Sequence, residues 1–168
     1  MEAAAKVKEV FPDVRFVMAG EGDMVPGIKT LVSELGLEDC FTFTGFLNGR
    51  EVEQIFAMSD LYIMPSVSEP FGLAPLEAIA CDVPVIISRQ SGVSEVLQHV
   101  LKVDYWDIDD LAYKIIAVLT HSDLANQIVE RSRKEIWTLQ WKKAALRITD
   151  LYRRLTDQPG PTITGTNP

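Results

Sequence analysis

Five short β-rich runs alternate with segments of helical spacing along most of this chain, and that alternation restricts its fold more than any other feature. The runs are Val14–Gly20, Phe41–Gly45, Leu61–Pro65, Val83–Ser88 and Leu101–Tyr105. Between the first two, Ile28, Leu31, Val32 and Leu35 recur at i, i+3, i+4 and i+7, with Gly36 placed to cap a helix C-terminus. Glu51–Met58, Phe71–Cys81 and Gly92–His99 read as the other intervening helices, and alanine-rich Glu2–Phe11 opens the chain as a helix ending before Pro12. Strands separated by helices pair in parallel through crossovers, which place helices on both faces. The sequence therefore predicts an α/β fold: three layers around a doubly wound parallel sheet.

Beyond the last strand the pattern is helical, over Asp109–Leu119 and then Ser122–Leu155, with a break near Ile136–Gln140 where β-branched and aromatic residues crowd. Residues 157–168 contain three prolines and two glycines without apolar periodicity and read as a disordered tail, leaving 1–156 as one domain. A length of 168 residues suits that single domain. Cys40 and Cys81 form neither a disulfide framework nor a zinc motif, and no apolar run approaches the about 20 residues needed to span a bilayer. With no signal-peptide layout at Met1–Lys6, the expected location is cytoplasmic.

A formal net charge of −8 argues against nucleic acid as a partner, because phosphate backbones select cationic surfaces. The charge is uneven, however: residues 131–155 hold 8 basic and 2 acidic side chains. Such a basic helix bearing Trp137 and Trp141 reads as a solvated helix with its indoles packed inward, or as a face for peripheral contact with an anionic membrane. Met18, Met58 and Met64 read as core, and His99 and His121 as surface or packing residues.

In doubly wound sheets ligands bind beyond the carboxyl ends of the strands. Here those positions are Gly20-Glu21-Gly22-Asp23, Gly45–Gly49, Ser66–Gly72 and Ser88–Gly92, each containing glycine. The third is the most informative. Its helix is expected to begin near Gly72, with Pro75 in the first turn, so that unpaired N–H groups face the ligand edge as an anion site. The rest of that helix is apolar almost all round, with Leu73, Leu76, Ile79, Ala80 and Cys81, and Glu77 shares a face with three of them. A carboxylate there is costly unless partnered, or else lies at the helix rim. Glu69 stands at the mouth of the same loop, where it reads either as an exposed loop acid or as an acceptor for sugar hydroxyls.

The stretch Glu69-Pro70-Phe71-Gly72-Leu73-Ala74-Pro75-Leu76-Glu77 resembles the signature of the C-terminal, donor-binding domain of GT-B glycosyltransferases, the large retaining family 4: two glutamates separated by seven residues around a Pro-Phe-Gly-Leu core. The likeness extends over roughly residues 5–155 and takes in Ala19-Gly20-Glu21-Gly22, Phe43-Thr44-Gly45, Asp60–Ser66, Pro84-Val85-Ile86 and Gly92–Glu95. It implies a Rossmann-like domain that binds a nucleotide sugar. Glu69 would be the catalytic residue facing the transferred sugar. Phe71, Gly72 and Leu73 would hold diphosphate and sugar through their backbone, Glu77 would accept from ribose hydroxyls, and Gly20, Glu21, Gly22 and Ser66 would line the donor pocket. No metal or other cofactor is expected, since helix-terminus and side-chain groups stand where other glycosyltransferases place a divalent ion.

The resemblance also implies a further strand before Glu2, central in the order 3-2-1-4-5-6, with a phosphate-binding arginine and lysine, and an N-terminal domain that brings a glycan or lipid-linked acceptor. Without that strand, Val14–Gly20 and Leu61–Pro65 are expected either to close together or to receive a second copy of the chain between them. Transfer of a glycosyl group with retention is the expected activity of the whole enzyme, with this part inactive alone. A different class, a non-catalytic nucleotide-sugar-binding or regulatory subunit completed by another chain, fits the same residues. A phosphoacceptor signalling domain fits poorly, because Asp60 precedes its strand.

Overall fold

A computed structural model describes residues 1–139 and 141–156 of the chain. It divides into two compact units, residues 1–136 and the segment from Trp137 onward. The first unit holds α1 (Glu2–Val10), β1 (Phe16–Ala19), α2 (Val25–Glu34), β2 (Phe41–Gly45), α3 (Arg50–Ala57), β3 (Tyr62–Met64), α4 (Ala74–Ala80), β4 (Val85–Ser88), a 3-10 turn at Gly92–Glu95, β5 (Leu101–Val103), α5 (Ile108–Thr120) and α6 (Ser122–Ile136). The second holds α7 (Trp141–Thr156), so the helical C-terminal region is interrupted where the sequence suggests. The expected tail at 157–168 lies outside the described residues.

All strand pairs are parallel: β1 with β2, and β3 with β4 with β5. The spatial order is therefore that of a doubly wound sheet without its first strand. β4 explains the layering. Its four residues are all buried, as for a strand covered on both faces. Side chains alternate between the faces. Val85 and Ile87 enter one core with Phe56 of α3 and Ala78 and Ile79 of α4, whereas Ile86 enters the opposite core with Ala3 and Val7 of α1 and Ala112 and Ile115 of α5.

The two sheets do not join. β1 and β3 are not hydrogen-bonded neighbours, and among the described residues no strand lies between them, so the expectation that they close on one another is not met. Helix α1 bridges the two pieces instead. Its Ala3 and Val7 pack with Ile86 and Val103 while Ala4 packs with Val32, Leu37 and Cys40, and Phe16 belongs to both clusters. Side chains beneath the sheet thus tie its two pieces together. Phe16 also stacks on Phe41 at 4.9 Å between centroids.

Two further expectations need correcting. Met58 is not core but 73% exposed, because it follows the last turn of α3, whose buried anchor is Phe56. Met64 is buried and Met18 half-buried. Trp137 and Trp141 are not packed inward; both rings are exposed, and α7 has no buried residue. On α7, Trp141, Ala144, Ala145, Ile148, Leu151, Tyr152 and Leu155 recur at helical spacing, with Lys142, Lys143, Arg147, Arg153 and Arg154 on the remainder of the surface.

Candidate functional site

The loops leaving β1 and β2 meet first. Gly20 N–H donates to the Gly45 carbonyl at 2.8 Å, and Oε1 of Glu21 lies 3.5 Å from the Phe46 N–H that donates to it. Gly22 then accepts from Val25 N–H at 3.1 Å and opens α2, with Pro26 in the first turn. Gly20, Glu21 and Gly22 are accordingly brought together at the carboxyl end of the β1–β2 pair, all three exposed.

The second assembly is built at the carboxyl ends of β3 and β4. The Ser88 side chain, fully buried, donates to the Ser66 carbonyl at 2.6 Å and so fixes the start of the loop. Further on, Glu69 forms a parallel bridge with Ser91, Gly92 N–H donates to the Glu69 carbonyl at 2.9 Å, and Val93 N–H donates to the Phe71 carbonyl at 2.6 Å. Phe71 N–H points back to Oε1 of Glu69 at 3.4 Å. Gly72 then turns the chain with φ of +92°, a conformation open to glycine but strained for residues with a Cβ. Met64 and Glu69 fill the space beside it, with Met64 Cε 3.0 Å from where a Cβ would stand.

The helix begins two residues later than the sequence suggests. α4 starts at Ala74 with Leu73 as its N-cap, because the positive φ at Gly72 keeps Phe71 and Gly72 outside it. Among the described residues, the N–H groups of Gly72, Leu73 and Ala74 have no protein acceptor, and Pro75 contributes none. Three consecutive donors therefore stand free at the loop's end.

Leu73 is 55% exposed, so it does not belong to a buried helix face. Glu77 is exposed too and takes the rim position; the face buried against the sheet is Pro75, Ala78 and Ile79. Glu69 is half-buried, Ser66 half-buried, and Phe71 40% exposed. The two carboxylates nonetheless act on one group. Tyr62, edge-on to Phe56 at 5.3 Å, has its phenol pushed up to about 12, first by burial and then by the charges of Glu69 and Glu77.

The sequence places Ser88–Gly92 at the ligand edge without giving its residues individual roles, and it gives no sign of the place of Tyr62 beneath the loop. Among the described residues no hydrogen bond or ion pair joins the Gly20–Gly22 assembly to the Ser66–Leu73 assembly. Nor, among them, do three His, Cys, Asp or Glu side chains converge closely enough to hold a metal ion. No described helix is long and apolar enough to cross a membrane.

A parallel α/β sheet with two glutamates flanking a donor-rich turn places the chain in a class, and comparison with known proteins identifies it. Residues 1–135 match the family described as glycosyl transferases group 1. The chain belongs to that family. It is 36% identical over 141 residues to the N-acetyl-alpha-D-glucosaminyl L-malate synthase of Bacillus anthracis, covering 82% of this chain and 36% of that protein. It is 29% identical over 151 residues to the GDP-mannose-dependent alpha-(1-6)-phosphatidylinositol dimannoside mannosyltransferase of Mycobacterium tuberculosis, covering 86% of this chain and 37% of that one. Among solved structures, it superposes on the C-terminal domain of a glycosyl transferase group 1 family protein from Francisella tularensis with a TM-score of 0.73, 25% identity, and coverage of 82% of this chain and 75% of the other. The chain spans well under half the length of the curated relatives it matches.

Proposed function

We propose that this chain is the nucleotide-sugar-binding half of a glycosyltransferase that passes a glycosyl group from a nucleoside-diphosphate sugar to a glycan or lipid acceptor with retention of configuration. The observation that carries the reading is the run of free N–H groups at Gly72, Leu73 and Ala74, held between Glu69 and Glu77 at the carboxyl end of β3. Carboxylates are acceptors only, which suits hydroxyl-rich ligands, and adjacent backbone donors suit a diphosphate.

In this reading Glu69 accepts from the hydroxyls of the transferred sugar, and Glu77, exposed on the rim, accepts from the ribose. The free backbone N–H groups that follow Phe71, at Gly72, Leu73 and Ala74, hold the diphosphate, while Ser66 and the turn Gly20-Glu21-Gly22 line the nucleotide side. Negative charge that develops on the departing diphosphate is met by N–H groups fixed beforehand, an arrangement that stabilises a leaving group without a metal. The leaving diphosphate takes the acceptor proton, so departure and attack occur on one face of the sugar. The acceptor is held by a further domain of the whole protein, which makes the present chain a binder of donor and not a complete catalyst.

Two partners follow. The basic, aromatic surface of α7 supports contact with an anionic membrane carrying a lipid-linked acceptor; sedimentation with phosphatidylglycerol vesicles, and none with neutral phosphatidylcholine, is the expected result. The open edges of β1 and β3 support a second copy as the missing pairing partner. The donor reading itself is tested by calorimetric titration with a panel of nucleotide sugars.

A further inference from the structure

We infer that Gly92 is a positioning residue for the donor loop, its lack of a side chain allowing the 3-10 turn after β4 to grip the backbone of Glu69, Pro70 and Phe71. The inference rests on the donor reading for its functional consequence and on backbone geometry for its substance. A Cβ at Gly92 would stand 2.1 Å from the Pro70 carbonyl oxygen, 2.8 Å from the Pro70 carbonyl carbon and 3.1 Å from the Phe71 Cα. All three are backbone atoms, so no change of rotamer relieves the overlap. One side or the other must move.

The turn is the side that cannot yield. Val93 and Leu97 are fully buried in the core with Ile79, Val85 and Ile87. Ser91 is buried as well, and its hydroxyl donates to the Ser88 carbonyl at 2.7 Å. The exposed member is the loop, with Pro65, Val67, Ser68, Pro70, Phe71 and Leu73 all open to solvent. A side chain at position 92 therefore displaces the loop.

The grip has a direction that matters for binding. Gly92 and Val93 donate to the carbonyls of Glu69 and Phe71, and Ser88 donates to that of Ser66, so the loop's acceptors are engaged against the protein. The next three N–H groups, at Gly72, Leu73 and Ala74, are left without protein partners. Loosening the turn frees those carbonyls, lets the loop rotate and scatters the donors that meet the diphosphate. This makes Gly92 a residue that acts on the ligand only through others.

The test compares wild type with Gly92→Ala and Ser88→Ala, the second removing one hydroxyl and introducing no overlap. Ile115→Val, in the opposite core, serves as a control for lost stability alone. Amide exchange and ¹H–¹⁵N shifts come first and need no ligand: in Gly92→Ala the Val93 amide is expected to exchange at least tenfold faster, with shifts at Phe71, Gly72 and Leu73. Titration with GDP-mannose and UDP-glucose follows, and weakening by at least tenfold is expected for Gly92→Ala and a smaller loss for Ser88→Ala, with Ile115→Val unchanged. Unaltered exchange and shifts at 71–73 in Gly92→Ala overturn the inference even when wild type binds. If Gly92→Ala does not fold, equal affinity of Ser88→Ala and wild type, with unmoved amides, overturns it. Failure of wild type to bind either sugar nucleotide removes the donor reading, while the amide measurements still decide whether the turn holds the loop.

Discussion

Glu135 and His99 meet twice: Oε2 of the carboxylate accepts the His99 backbone N–H at 3.0 Å, and Oε1 lies 2.9 Å from Nδ1 of the ring. Both oxygens also accept from Gln98 N–H at 3.0 Å. The end of α6 is thereby tied to the turn that leads into β5, on the far side of the strand that supports the donor loop.

That contact sets an acid limit on stability. Burial works to raise the Glu135 carboxyl, but donation from the His99 N–H, the His99 ring and the Gln98 N–H outweighs it and leaves the carboxyl below its ordinary value of 4.5. A depressed folded-state value means that the contribution is present above the unfolded value and is lost as pH falls through the folded one. Glu135→Gln should cost about 2 kcal/mol at pH 7, as expected for hydrogen bonds to a charged group. Urea unfolding between pH 3 and 7 checks this, and the variant should show a flatter loss of stability below pH 4.5 than wild type.

Tyr62 sets the alkaline counterpart. Its phenol, raised from 10.0 to about 12, holds its proton more tightly in the folded chain than in the unfolded one. Between those values the unfolded state binds fewer protons, so stability falls as pH rises through this range and is unaffected below it. Ring-¹³C spectra should find Tyr62 protonated at pH 11, and Glu69→Gln should lower its titration, since the Glu69 charge is one cause of the rise.

The divided sheet makes a prediction about assembly. Phe16 and Gly20 N–H groups face β2, and Tyr62 N–H faces β4, so alternation turns Val17 and Ile63 toward the gap. Sedimentation at micromolar concentration should give twice the mass of one chain. Val17→Pro removes a donor from that edge without touching the β1–β2 ladder and should return the monomer. A wild-type monomer contradicts pairing through these edges.

Much of this was legible because the signals were local. The alternation of short strand runs with helical segments gave the parallel order, and the spacing of Glu69 and Glu77 around Pro-Phe-Gly-Leu marked the loop that carries the free donors. The errors came where helical periodicity was read without its ends. A wheel drawn through Leu73–Cys81 puts Glu77 among apolar residues or at the rim; α4, only seven residues long, fully buries Pro75, Ala78 and Ile79, half-buries Leu76, and leaves Leu73 and Glu77 exposed. The sequence puts Gly92 at the ligand edge but not its grip on the donor loop, since contact between residues 70 and 92 arises only when β3 and β4 lie side by side.

The central claim is that the Glu69–Glu77 segment binds a nucleotide sugar, and calorimetric titration of wild type, Glu77→Ala and Glu69→Ala with GDP-mannose, UDP-glucose and their free diphosphates tests it most directly. At least one sugar nucleotide should bind wild type, with Glu77→Ala weakening both it and its free diphosphate by roughly tenfold, the loss of one or two hydrogen bonds to a charged acceptor. Glu69→Ala should weaken the sugar nucleotide while leaving the free nucleoside diphosphate unaffected. No binding to wild type at millimolar concentration, or equal affinities in all three proteins, would contradict the account.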